Sequence, residues 1–89
     1  ISNYPSSGEL NFNLAAPERA MARIQQHYQA QMHKLDLTDG LSMEFADWRF
    51  NLRSSNTENV LRLNVESRNN VQLMEQKTAD IISILTEAE

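Results

Sequence analysis

The sequence predicts an α+β domain, an antiparallel sheet with two helices packed on one face, and three patterns carry that reading. Apolar and polar residues alternate through Trp48, Phe50 and Leu52 and again through Leu61, Leu63 and Val65, as two half-buried strands require. Ala20, Ile24 and Tyr28 fall at helical spacing. So do Val71, Met74, Thr78, Ile81 and Leu85 near the other end of the chain.

The chain has 89 residues, the size of one domain, and such a domain buries about 60% of the surface its unfolded chain exposes. That supports one modest core. There are 8 basic and 12 acidic side chains, a net charge of −4, which argues against a nucleic-acid partner because phosphate backbones demand broad basic faces. The charge is unevenly spread. Residues 49 to 68 hold four Arg and two Glu, so a local excess of +2 sits on a remainder carrying −6. A small positive focus on an acidic body suits one or two phosphates rather than a polymer. With no cysteine there is neither a disulfide framework nor a thiolate zinc site, and a reducing cytoplasmic location is compatible with the chain. No apolar run approaches the ~20 residues of a membrane-spanning helix, and no signal-peptide pattern opens the sequence, so no membrane partner is expected. The chain begins at Ile1 without an initiator Met, which leads to the expectation of a piece of a longer protein.

In order along the chain, residues 1–7, with Pro5 and two Ser, read as an irregular lead-in and linker remnant. Leu10, Phe12 and Leu14 alternate with polar neighbours, making 8–14 the first strand. Pro17 suits a first helical position and Glu18 complements the helix N-terminus, so 17 to about 33 should form an amphipathic helix, its stripe widened by Met21. His27 and His33 stand six apart on that helix and face different directions, so they are read as solvated rather than as metal ligands, and no metal site is expected. Tyr28 is read as packing. Asp39-Gly40 favours a tight turn, after which Leu41, Met43 and Phe45 alternate as a strand. Ala46-Asp47 shifts the phase, so 41–53 read as a hairpin whose second arm delivers Arg53. Glu44 and Asp47 are read as surface carboxylates. Asn69 and Asn70 are good caps for the last helix, whose stripe begins at Val71 and is broadened by Ile82 and Ile84.

The chemistry collects between the two central strands. Arg53-Ser54-Ser55-Asn56-Thr57 puts a guanidinium, hydroxyls and an amide on one short loop, and Arg62 follows just past its exit. A phosphate offers several acceptor oxygens and a charge near −2, which suits the planar fork of arginine, hydroxyl donors and loop N–H groups. A tight turn at residues 55–57 would aim successive N–H groups into one concavity, and Asn tolerates the left-handed backbone this can require. The residues alone leave a plain polar hairpin loop open as an alternative. Arg62 and Arg49 either extend the anion site or pair across strands with Glu58 and Glu66.

Arg53-Ser54-Ser55-Asn56-Thr57-Glu58, followed by Val60-Leu61-Arg62, resembles the phosphate-binding signature of the C-terminal domain of the α-D-phosphohexomutases. Asp39 to Phe45, Ala46 to Leu52 and Asn64 to Ser67 resemble the segments flanking that loop, and Ser7 to Asn11 resembles the domain's start. The resemblance implies that residues 8–89 form this domain, in a TATA-binding-protein-like fold without DNA binding. It implies Arg53, Ser55, Asn56 and Thr57 as ligands of the substrate phosphate, with Arg62 and Arg49 as accessory candidates. It implies a phosphomannomutase or phosphoglucomutase that interconverts hexose 6-phosphate and hexose 1-phosphate, such as those of mannose and glucose. The catalytic phosphoserine and the Mg2+ site of such an enzyme would lie in preceding domains, its other partners here, so this chain should hold no catalytic residue and no cofactor. Asn56 is more typical of the manno and gluco enzymes than of the phosphoglucosamine group, where Gly is commoner. The family usually has Pro where this sequence has Asn59, which frees a dihedral angle and restores an N–H. Two other readings are carried beside this one: a free-standing module for phosphorylated ligands, and a structural or interaction domain.

Overall fold

The computed structural model describes residues 3–55 and 57–87. Strand β1 (Leu10–Asn13) leads into helix α1 (Pro17–Tyr28), and β2 (Lys34–Asp36), β3 (Leu41–Glu44), β4 (Trp48–Ser54) and β5 (Val60–Ser67) come next, with helix α2 (Val71–Glu87) last. The strands form one sheet in the order β1-β5-β4-β3-β2, antiparallel throughout. The two helices pack on each other and on one face of this sheet, α2 against β5 and α1 against β4. The α+β architecture expected from periodicity is the one observed.

Alternation decides which side chains enter the core. Leu41, Met43, Trp48, Phe50, Leu52, Leu61, Leu63 and Val65 all point toward the helices and are buried, meeting Ala20, Ile24 and Tyr28 of α1 and Ile81 and Leu85 of α2. Tyr28 fills the centre of this layer, with Trp48 edge-on at 5.3 Å and Phe50 at 5.8 Å. Phe45 stacks on Trp48 at 4.2 Å with their planes 7° apart, closing the core at the β3–β4 turn. Each such aromatic pair adds about 0.5–1.5 kcal/mol beyond the burial of its area.

Helix ends obey local chemistry. Pro17 stands at the start of α1 with Glu18 in its first turn. Asn70 caps α2 by accepting the Leu73 N–H at 2.9 Å, and Asn69 takes a left-handed conformation with φ of 52°, which Asn tolerates. The helix predicted to run to about residue 33 ends at Tyr28, whose carbonyl accepts the N–H groups of Gln31 and Met32. Beyond it lies the short edge strand β2, paired with β3 through Lys34↔Glu44, Leu35↔Met43 and Asp36↔Ser42. Three residues are too few to display an alternation, and the open edge of β3 recruits them. Val71 is also unlike the expectation, being 54% exposed. As the first residue of α2 its Cβ points back off the helix end, so the buried stripe narrows to Ile81 and Leu85 flanked by partly buried Leu73, Met74, Ile82 and Ile84.

The lead-in is tied down along β5. Asn69 N–H donates to the Asn3 carbonyl at 2.7 Å, Ser67 N–H to Pro5 at 3.0 Å, and Ser7 N–H to Val65 at 2.8 Å.

Candidate functional site

The second face of the sheet carries no helix. Residues that alternate with the core positions, among them Ser42, Arg49, Asn51, Arg53, Arg62, Asn64 and Glu66, point to this open side. Because the period is two, Arg53 and Ser55 lie on one side of β4 and its extension, so the strand that buries Leu52 is the strand that presents the guanidinium.

The β4–β5 connection starts at Ser55, whose N–H donates to the Val60 carbonyl at 3.0 Å and closes the hairpin. Ser55 Oγ accepts the Thr57 N–H at 3.2 Å and lies 3.3 Å from Thr57 Oγ1. This is a serine turn, in which a side-chain oxygen takes the place of a backbone acceptor and tightens the loop. The loop's exit is fastened as well, since the Asn59 carbonyl accepts the Leu14 N–H at 2.9 Å. Asn56, the fourth predicted phosphate ligand, lies outside the described residues.

Arg53 and Arg62 stand directly across from each other in the β4–β5 register. Like charges placed opposite on one sheet face repel. Arg53 Nη1 donates to Asp39 Oδ2 at 3.1 Å in an exposed ion pair, while among the described residues Arg62 has no carboxylate within salt-bridge distance. An open depression of about 480 Å³ lies between Asp39, Arg53, Ser55 and Arg62. On its other side Ser55, with Thr57 and Asn59, borders a second depression of about 640 Å³ that reaches Arg19 in the first turn of α1.

Four of the six residues singled out by sequence, Arg53, Ser55, Thr57 and Arg62, are therefore brought to one end of the open face. Arg49 stands further along the same face, where with Asp39, Arg53 and Arg62 it borders another open depression of about 410 Å³. It lies four residues back along β4, about 13 Å away at strand rise, where its Nε is 3.7 Å from Glu66 Oε1. Arg62 finds Arg53 rather than Glu58 opposite it, since Glu58 belongs to the loop and not to the ladder. Glu44 and Asp47 line a separate depression at the far end of the hairpin, and His27 and His33 are both exposed.

Asp39 and Arg19 were missed as neighbours of the loop. Asp39 was legible in principle: the hairpin pairing Leu41 with Leu52 places the next pair at Gly40 and Arg53, with Asp39 one residue further. Arg19 carried no such signal, because its approach depends on where α1 lands on the sheet. The turn before β3 is held by Asp36, whose Oδ1 accepts the Thr38 N–H at 2.8 Å. That backbone hydrogen bond is the main cause holding the Asp36 carboxyl below the usual range. Among the described residues no group of three or more His, Cys, Asp or Glu side chains is placed to hold a metal ion. Among them, too, no helix is long and apolar enough to cross a membrane.

A compact α+β domain that holds an arginine- and hydroxyl-bearing hairpin tip clear of its core is the class of module defined here. The family described as "Phosphoglucomutase/phosphomannomutase, C-terminal domain" matches residues 9–82, and the chain belongs to it. A phosphomannomutase of Salmonella montevideo is 57% identical over 85 residues, covering 96% of this chain and 19% of that protein. The Escherichia coli K12 phosphomannomutase is 55% identical over 87 residues, covering 98% and 19%. A protein of Xanthomonas campestris named for phosphohexose mutases is 49% identical, covering 96% and 19%. Among solved structures, a phosphoglucomutase/phosphomannomutase family protein from Burkholderia thailandensis superposes with a TM-score of 0.71 at 25% identity, over 98% of this chain and 18% of that one. The chain thus spans about a fifth of the length of the curated relatives it matches.

Proposed function

We propose that this chain is the domain that grips the non-reacting phosphate of a hexose phosphate within a phosphomannomutase or phosphoglucomutase. The observation that carries this reading is the convergence of Arg53, Ser55 and Arg62 on one open depression, with Thr57 joined to Ser55 at the loop tip. Arg53 and Arg62 stand opposite each other on adjacent strands, and among the described residues one carboxylate, Asp39, pairs with Arg53, so a phosphate entering there relieves their repulsion while accepting their N–H groups. Such charge-assisted hydrogen bonds contribute about 1.5–3 kcal/mol each. Interconversion of hexose 6-phosphate and hexose 1-phosphate requires the sugar to be held in two opposite orientations. A site that recognises only the phosphate, whichever end carries it, meets that need.

On this reading residues 8–89 are the domain and residues 1–7 the lead-in from preceding domains, which hold the nucleophilic serine, the Mg2+ site and the contacts to sugar hydroxyls. The chain alone binds phosphosugar at millimolar strength and catalyses nothing. A cytoplasmic place of action belongs to the same reading, in keeping with a chain free of cysteine.

The test is an amide NMR titration of the 89-residue chain with mannose 1-phosphate, glucose 1-phosphate and inorganic phosphate. Shifts concentrated at residues 53–57 and at Arg62, removed by Arg53→Ala, are expected. No response at those residues, or a response untouched by Arg53→Ala, would refute the site. Turnover of mannose 6-phosphate by the purified chain would refute its lack of catalysis.

A further inference from the structure

We infer that Asp39 is a positioning residue for phosphate capture, holding Arg53 in place against the repulsion of Arg62 by one amino group and leaving its remaining N–H groups to the ligand. The inference rests on the phosphate reading above and adds to it a residue outside the loop.

A carboxylate beside an anion site is at first sight a defect, because it repels what the site must hold. The surroundings of Asp39 argue otherwise. Its backbone is clamped, with the carbonyl accepting the Asn51 Nδ2–H at 3.1 Å while that amide also donates to Ser42 Oγ at 2.8 Å. The next residue, Gly40, has φ of +79° and lies so close to β4 that a Cβ there would collide with the Leu52 carbonyl and come within 2.8 Å of Arg53 Cγ. Only glycine permits both that backbone and that approach. The turn is thus pressed onto the stem of Arg53 with the carboxylate beside the guanidinium. The contact to Arg53 uses Nη1 alone. A guanidinium has five N–H groups in a planar fork, so one carboxylate contact on one amino group leaves the others for a phosphate. With Asp39 removed, nothing among the described residues opposes the push of Arg62 from across the strands, and the fork is free to swing into solvent.

The experiment separates this from simple charge, because the two predict opposite signs. Deleting a carboxylate strengthens anion binding if Asp39 acts only through its charge, and weakens it if Asp39 positions Arg53. Phosphate and mannose 1-phosphate are titrated into the chain and into Asp39→Asn, with the amides and the Arg53 Nε–H resonance as readouts. The expected result is a three- to fivefold weaker affinity, about the worth of an exposed ion pair, and an Arg53 Nε–H signal collapsed toward its solvent-exposed position. In an Arg62→Gln background the same substitution should weaken binding less than twofold. Asp39→Ser, also at home in a turn, serves as the second variant and should behave as Asp39→Asn does. Equal or tighter binding by either Asp39 variant overturns the inference, as does the same loss in both backgrounds. A wild-type chain that shows no phosphate response instead removes the phosphate reading itself.

Discussion

Arg53 on β4 and Arg62 on β5 face each other across adjacent strands of the sheet's uncovered side, and a single carboxylate, Asp39, is paired with the first of them. That pairing makes the loop end an electropositive spot on a chain whose net charge is −4. An anion resting between the two arginines replaces repulsion with two attractions. Arg62→Ala should therefore lower phosphate affinity about three- to tenfold while leaving thermal stability unchanged or slightly raised, because the variant also removes a like-charge pair. Calorimetry alongside the NMR titration reads both effects. A variant that binds normally and melts lower would mean that Arg62 is structural.

Gly40 is the position where a small change should do most harm. Its left-handed backbone and its contact with the Leu52 carbonyl make Gly40→Ala strained and overpacked together, for a combined cost of about 2–4 kcal/mol. Urea unfolding measures it. Phosphate affinity of the remaining folded protein should fall too, since the turn cannot keep its seat against Arg53.

Asn59 invites the opposite change. Its carbonyl accepts the Leu14 N–H, a bond that a proline at the same place leaves intact. Asn59→Pro should stabilise the chain by about 0.4–1 kcal/mol by narrowing the unfolded ensemble, visible as a raised urea midpoint. A lowered midpoint would show that the Asn59 N–H or its dihedral angle matters to the fold.

Tyr28 sets the alkaline limit. Burial first, and the Asp80 carboxylate second, push its hydroxyl up to about 12. The unfolded chain gives up that proton near 10.0, so between these values the folded state holds more protons and stability falls as pH rises. The contribution is intact below pH 10 and is progressively lost as pH rises toward 12. Tyr28→Phe should remove this part of the pH dependence, so the difference between the two unfolding curves isolates it.

The donor-bearing hairpin tip was legible because its residues are local: Arg53, Ser55 and Thr57 are neighbours in sequence, and the alternation through Phe50 and Leu52 tells which side Arg53 takes. The burial of Ile24, Tyr28, Ile81 and Leu85 was legible for the same reason, as helical spacing on single segments. The strand β2 was not, since Lys34, Leu35 and Asp36 become a strand only when the edge of β3 is there to pair with them. The pairing of Arg49 with Glu66, one of the two readings the sequence offered for that arginine, follows from the rung they share.

By itself the sequence determined the periodicities of two and of about 3.6, and with them the identity of each element of any length, the face each one buries, and the cluster of donors on a single hairpin tip. Only the tertiary structure decided which hairpin registers are adopted, setting Asp39 against Arg53 and Arg62 opposite it, and that Arg19, remote in the chain, borders the same loop. None of these relations is contained in one segment. They depend on strand register and on where α1 lands, which the whole core settles at once and no short stretch encodes.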